Sequence, residues 1–563
     1  MNDIKVLASD RTRCSPEGSG VRRINRALQR VFLLTDAKHP QSLSLLKNTY
    51  PILYMTMSTT STSLLGFVLL SIIYYRWVAT RSRARLPPGP KRLPIIGSLL
   101  NTLPARMGLV PPNPKPLYER YLEIGKASNS DVIHIDVMGD HTVVLNSVKA
   151  ATELLDHRSS NYSSRPAMPM VDDLMGWEWD LAHMPYSDRW RRHRKTFTHY
   201  FQPRAITEHH PFQRKSITEL LQKLLALPDP DPVELEGYIQ HHAGSIILRA
   251  TYGIVSPKDQ EYYVDLAHRA ITPIIHAAPH GTYLVDYLPL LKYVPNWFPG
   301  ADFKRKAKTW SKYSIDLKDQ PWEKVQSEIA AGTALPSFVT RNLEGIDTAS
   351  VSEQVIEEIK NCAGVAYLAG SDTSIALMRC AILALATHPE VQERAQKELD
   401  SVLGTGGSNG RLPDYADRED LPYLSAIISE TLRYYPVTPL ALPHACLEDD
   451  IYEGHYIPKG STVIGNSWAI LHDEKLYPDP MTYNPSRFLK RKTDSGKEIE
   501  PQPNPALYAF GFGRRICPGR WLALDTSWLV ISSILATCTI QKALDSNGKE
   551  MEPLVEYERG LVE

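Results

Sequence analysis

Near its C-terminus the chain reads Phe510-Gly511-Phe512-Gly513-Arg514-Arg515-Ile516-Cys517-Pro518-Gly519 and runs directly into the apolar helical pattern WLALDTSWLVISSIL. Cys517 therefore stands where a helix begins, and there backbone N–H groups and the helix dipole favour a thiolate. Gly513 and Gly519 let the backbone approach a flat group closely, and Arg515 supplies positive charge for anionic substituents. Taken alone, a single cysteine reads more often as a small buried hydrophobe. The other cysteines, Cys14, Cys362, Cys380, Cys446 and Cys538, form no C-x-x-C pair and no recurring spacing. That excludes a disulfide framework and a zinc site.

The rest of the chain reads as mainly α with small β-sheets. Helical periodicity covers roughly 353–386, 389–403, 421–435 and 520–538. From Asp131 the alternation DVIHIDVMGDHTVVLNS predicts a β-hairpin with Gly139 and Asp140 in its turn, and Asp449–Ser467 predicts a second β-rich stretch with turns at Glu453-Gly454 and Pro458-Lys459-Gly460. No linker or low-complexity break follows residue 90, so 101–563 reads as one catalytic domain. Lys+Arg (63) and Asp+Glu (63) cancel, and nothing in that balance draws the chain to nucleic acid.

No charged residue occurs from Asn48 to Tyr75, and Leu64–Tyr75 reads LLGFVLLSIIYY, with Arg76, Arg81, Arg83, Arg85, Lys91 and Arg92 behind it. The expectation is one N-terminal transmembrane helix within 51–79, a retained signal anchor with the catalytic domain cytosolic. A basic, proline-rich hinge follows over 80–100, including Leu86-Pro87-Pro88-Gly89-Pro90. Residues 1–50 form an extension of doubtful status whose nine Lys/Arg oppose that orientation; initiation at Met55 or Met57 would remove the conflict.

Phe510, Gly513, Arg515, Cys517 and Gly519 complete F-x-x-G-x-R-x-C-x-G, and so the segment resembles the haem-binding loop of cytochrome P-450 monooxygenases. A thiolate is a good axial ligand for haem iron because its electron donation promotes O–O cleavage. The resemblance implies Cys517 as that ligand. It extends from the proline hinge to the C-terminus and especially resembles fungal microsomal members of secondary metabolism or xenobiotic oxidation. Ala369-Gly370-Ser371-Asp372-Thr373-Ser374 matches the family's distal helix, in which small residues leave a groove for dioxygen and an acid–hydroxyl pair, here Asp372 and Thr373, relays protons. Glu430-Thr431-Leu432-Arg433 with Arg487 matches a buried structural triad beneath the haem. Trp190 and Arg194 match a W-x-x-x-R that contacts haem propionates, Arg191, Arg192 and Lys195 resemble the basic surface that receives the electron donor, and His444 takes the position of a further propionate donor. Trp297 and Phe298, at a Pro-bounded tip, suit a loop dipping into the membrane interface.

The function implied is a haem-thiolate monooxygenase that inserts one oxygen atom of O2 into a lipophilic small molecule. Its cofactor would be haem b, and electrons would come from NADPH through NADPH–cytochrome P-450 reductase, with cytochrome b5 as a further partner. The location implied is the endoplasmic reticulum membrane, single-pass. The rivals are a catalytically silent membrane-bound haem or ligand carrier and an isomerase, dehydratase or peroxygenase on the same fold. Val437–Leu442 with Ala363, Ala366 and Tyr367 suggests an apolar pocket. The chain ends at Tyr557–Glu563 where relatives usually continue through one more strand, which reads as a truncated gene model.

Overall fold

The periodic segments are realised as helices in the computed structural model, which describes residues 4–8, 71, 74, 86–92, 97–98 and 115–553, apart from 227–231, 280, 347–351, 405–409, 493–495 and 546. Ten helices of eleven or more residues lie among the described residues. They are α1 (Leu117–Ala127), α2 (Asp188–Phe201), α3 (His210–Ala226), α4 (Pro232–Tyr252), α5 (Pro257–Ala277), α6 (Asp302–Ala330), α7 (Glu353–Thr387), α8 (Pro389–Leu403), α9 (Pro422–Tyr434) and α10 (Arg520–Thr537). Pro389 and Pro422 open α8 and α9, where a missing N–H breaks no intrahelical bond.

The strands are β1 (Ile4–Ala8), β2 (Val132–Val137), β3 (Asp140–Leu145), β4 (His444–Ala445), β5 (Asp450–Tyr452), β6 (His455–Ile457), β7 (Thr462–Gly465), β8 (Arg491–Lys492), β9 (Glu498–Ile499) and β10 (Cys538–Lys542). The main sheet has the order β2-β3-β7-β4, with β3 and β7 parallel. Its hairpin turn is Met138-Gly139, with φ of 54° and 94°, and Asp140 is already the first residue of β3. The expected turn is thus displaced by one residue, because the six-residue register pairs Val137 with Asp140 and leaves only two residues to turn. Glu453 and Gly454 turn the β5–β6 hairpin as the sequence predicts, with φ of 49° and 77°.

Two compact units divide the chain. One is Asp10–Arg83, of which Ser71 and Tyr74, both helical, are described; the expected anchor therefore lies almost wholly outside the described residues, as does the final Tyr557–Glu563. The other comprises Met1–Ser9 and Ala84–Glu563. Within it β1 pairs antiparallel with β10, Val6 facing Ile540.

Helix α7 is the backbone of the larger unit and touches α4, α10, α5, α2, α6 and α9. It is also the one helix among the described residues long and apolar enough to cross a membrane, a property it owes to its place in the core. Ile359–Leu368 belongs to one apolar core with Trp177, Phe197, Tyr252 and Ile271, whereas Ile375–Ala386 belongs to another with Leu220, Leu424 and Trp528. Between them, Ala369–Ser374 belongs to neither. There the helix is partly uncovered, with Ala369 exposed and Gly370, Asp372, Thr373 and Ser374 half-buried.

Candidate active site

That uncovered stretch of α7 faces a cavity with about 1620 Å³ of empty space, part of it open to solvent. Helical spacing selects the residues α7 contributes: Val365, Ala366, Ala369, Gly370, Thr373, Ser374 and Leu377 share one face. Ala363 and Tyr367 fall on other faces and do not line the cavity, contrary to the apolar-pocket expectation. The Tyr367 hydroxyl instead donates to the Tyr263 carbonyl, and its ring meets Tyr252 edge-on at 5.9 Å. The mid-helix glycine also has a packing reason. A Cβ on Gly370 would stand 2.7 Å from Cγ1 of Ile247 on α4, closer than real contacts allow.

The cysteine loop forms another wall through Phe510, Gly511, Phe512, Arg515, Cys517, Pro518 and Gly519, continued by Leu522, Ala523 and Thr526 of α10. The Cys517 N–H donates to the Phe510 carbonyl at 2.8 Å, which folds the loop back on itself. Burial pushes the Cys517 thiol up, while N–H groups of Gly519 and Arg520 and the charges of Arg194 and Arg520 pull it down. The helix-start effects read from the sequence are present but outweighed by burial; a metal ion reverses that balance, since a coordinating thiol is deprotonated outright. Gly519 caps α10 and lines the cavity, but Gly513 does not line it. Gly513 has φ of 55° and sits so close to the Leu155 carbonyl that no side chain fits, so it locks the loop onto the 152–157 segment.

At the polar end of the cavity stand Arg165, Trp190, Arg194, His444 and Arg515. Ser187 caps α2 by accepting the Trp190 N–H at 3.2 Å, and the i, i+4 spacing then brings both Trp190 and Arg194 to the cavity. Arg515 donates to the carbonyls of Ser163 (2.7 Å), Leu181 (3.2 Å) and Met184 (2.5 Å). Arg165 donates to those of Ala182, Leu442 and Pro443 at 2.7–2.8 Å, and Arg194 to that of Ile516 at 2.6 Å. Burial lowers all three, Arg165 and Arg194 to about 10 and Arg515 to about 8, the last also through repulsion from Arg165 and Arg194. His444 accepts no charge here: its Nδ1 lies 2.6 Å from the Tyr162 carbonyl, and burial with the nearby Arg165 holds it well below the ordinary imidazole range.

Arg165 escapes a motif-based reading, although it is the only charged residue between Arg158 and Asp172. Conversely, Asp372 is half-buried and is not part of the cavity lining, while Thr373 is. The Thr373 hydroxyl donates to the Ala369 carbonyl one turn back, at 2.9 Å.

Away from the cavity, Glu430 accepts from Arg433 Nε and Nη2 at 2.7 and 2.8 Å and from Arg487 Nε at 3.1 Å. Carbonyls of Leu471, Pro480, Pro478 and Asp479 take further guanidinium N–H groups. All three side chains are at most 3% exposed.

The donor set fits haem. Two buried guanidiniums, Arg165 and Arg515, and the half-buried Arg194 converge with no carboxylate within 4 Å of any of them among the described residues, and a group bearing two carboxylates would balance them. A thiol reaches the same cavity, and glycines keep its loop slim.

Comparison with known proteins agrees. The sequence profile of the cytochrome P-450 family matches residues 87–556. A cytochrome P-450 monooxygenase of Armillaria gallica is 39% identical over 507 residues, covering 90% of this chain and 95% of its own. Cytochrome P-450 monooxygenase 98 of Postia placenta is 40% identical over 86% of this chain and 89% of its own, and a tryptamine 4-monooxygenase of Psilocybe cyanescens is 35% identical over 87% and 93%. With a match over most of its length and with these relatives, the chain belongs to the cytochrome P-450 family and is a haem-dependent monooxygenase.

Proposed function

We propose that the protein is a microsomal haem-thiolate monooxygenase acting on a neutral lipophilic small molecule, a secondary metabolite or xenobiotic, with electrons from NADPH delivered by a flavoprotein reductase. The observation that carries this reading is that Cys517 and Thr373 line one cavity whose remaining walls are mostly apolar and which no Asp or Glu lines among the described residues. A cationic substrate would find no counter-charge there, whereas an apolar one buries its surface against Ile246, Ile247, Val365, Val437 and Leu442.

Cys517 would hold the haem iron, and Arg165, Trp190, Arg194, His444 and Arg515 its propionate side. Phe510 and Gly519 would border the ring. When bound through a thiolate, haem supplies the oxygen chemistry. The protein's own part is to orient substrate beneath α7, exclude water and deliver protons. Thr373 holds a proton at its Oγ1 on the cavity wall, and Asp372, one residue back and half-buried, connects that hydroxyl to solvent. Glu430, Arg433 and Arg487 hold the scaffold.

Attachment to the endoplasmic reticulum is supported by the apolar segment 64–75 and by the tip at Leu290, Tyr293 and Trp297, each at least 74% exposed. A domain plan of extension, anchor at 51–79, hinge at 80–100 and cytosolic catalytic domain from 101 follows.

The test is the reduced, carbon-monoxide-bound difference spectrum in microsomes beside Cys517→Ala, followed by NADPH-dependent oxygen consumption with added reductase. A strongly red-shifted Soret band that the variant lacks, with substrate-stimulated consumption, is expected. A band unaffected by Cys517→Ala, or no consumption with any neutral lipophilic compound, would overturn the proposal.

A further inference from the structure

A second pocket opens between α3 and α4, with about 870 Å³ of empty space, part of it open to solvent, and shares no lining residue with the cysteine cavity. Helix α4 is the wall between the two: Ala243, Ile246 and Ile247 face the cysteine cavity, and His242, Ser245 and Arg249 face the second pocket.

His242 is 4% exposed. Its Nδ1 lies 3.0 Å from the Ser216 hydroxyl, and Ser245 donates its own hydroxyl to the His242 carbonyl at 2.8 Å. The Ser216 hydroxyl also lies 3.3 Å from the Ser245 hydroxyl, so its proton has two acceptors to choose from. His242 Nε2 is buried and has no hydrogen-bond partner among the described residues, an arrangement native interiors avoid unless something else meets the atom. Burial keeps the ring neutral, lowered to about 4.

Arg249 adds charge at the same site. It is half-buried, lies over the Phe212 ring at 5.8 Å and donates to the Pro336 carbonyl at 2.6 Å, and no carboxylate of the described residues stands within 4 Å. Lys215 and Lys223 extend the positive rim, the latter 5.8 Å over the Tyr238 ring. Glu219 is the one acidic side chain lining the pocket, 3.9 Å from Lys215.

We propose that this pocket binds an amphipathic organic carboxylate, its ring system against Phe212 and Tyr238 and its carboxyl group meeting Arg249 and the unpartnered His242 Nε2. Aromatic faces beside a guanidinium select an organic anion over a bare inorganic one, because the latter would leave the apolar walls wet.

The test uses the full-length, haem-loaded protein with its cysteine cavity saturated by an azole, verified by the Soret band. Calorimetric titration compares 2-naphthoate with its neutral analogue 2-naphthylmethanol. One-site binding of 2-naphthoate, at least tenfold tighter than the alcohol and weakened about tenfold or more by Arg249→Gln and by His242→Phe with unchanged Soret and circular dichroism spectra, is expected. Equal binding of the two compounds, or heat that appears only when the azole is omitted, overturns the proposal. Should Arg249→Gln fail to fold, the exposed Lys215→Gln/Lys223→Gln pair carries the comparison, and unchanged affinity there counts against the site.

Discussion

The guanidinium carbon of Arg515 lies 4.3 Å from the centroid of the Trp190 ring. This stacking joins the loop that carries Cys517 to helix α2, and three backbone carbonyls fix the plane of the guanidinium. Lysine preserves the charge but neither stacks flat nor reaches three carbonyls. Arg515→Lys is expected to speed haem loss to excess apomyoglobin by about tenfold or more, the size of one or two charged hydrogen bonds. An unchanged loss rate would show that the plane of Arg515 does not matter.

Gly370 owes its identity to Ile247. Gly370→Ala is expected to destabilise the protein by about 1–3 kcal/mol, the usual cost of overpacking, and adding Ile247→Ala should recover part of that loss. Chemical denaturation of the four proteins of the cycle measures it; strictly additive effects would rule out the contact as the cause.

Thr373→Ala should lower product formed per NADPH by about tenfold or more, up to the ~10²–10⁴ that a positioned proton donor contributes. Thr373→Ser should retain most of the yield. Equal yields in all three proteins would remove Thr373 from proton delivery.

Glu430→Gln leaves two buried guanidiniums facing a neutral amide, and breaking such a buried pair costs about 3–5 kcal/mol. Little folded protein is expected. Glu393→Gln, which breaks the exposed Glu393–Lys397 pair, serves as the control and should leave the denaturation midpoint where it was.

Three histidines outside the cavity, His134, His209 and His472, are lowered by burial to about 2, 4 and 3. Between those values and about 6.5 the unfolded chain binds protons that the folded chain does not. Stability is therefore fully present above about 6.5 and falls as pH drops toward 4, by up to about 1.4 kcal/mol per pH unit for each histidine. Urea midpoints at pH 7, 6 and 5 should decline accordingly, and His472→Gln should flatten the slope by about one proton. A slope unaffected by that substitution would contradict the assignment.

The long helices were legible because their apolar residues repeat over many turns, and α8 runs over Pro389–Leu403 as the pattern indicates. The hairpin turn slipped by one residue because Met138, with no sequence mark of a left-handed backbone, takes the position that Gly and Asn usually fill. At the site, Cys517, Trp190 and Arg194 could be found from local motifs, since each shares a short segment with its partners. Arg165 could not. Its tie to Leu442 and Pro443 spans 277 and 278 residues of sequence, and only tertiary structure brings those carbonyls to it. The reason for Gly513 was hidden in the same way, because the carbonyl it makes room for belongs to Leu155.

Val437, Thr438, Leu442 and Ala369 line the cysteine cavity yet belong to none of the packed apolar cores. The seam in α7 thus separates what the enzyme needs in order to fold from what it needs in order to choose a substrate. Trimming or enlarging these four side chains opens no hole in a close-packed interior, so the cost of each change falls on the shape of the cavity rather than on stability. In a lineage under shifting chemical demand, those are the positions at which preference can drift while the two cores on either side stay as they are.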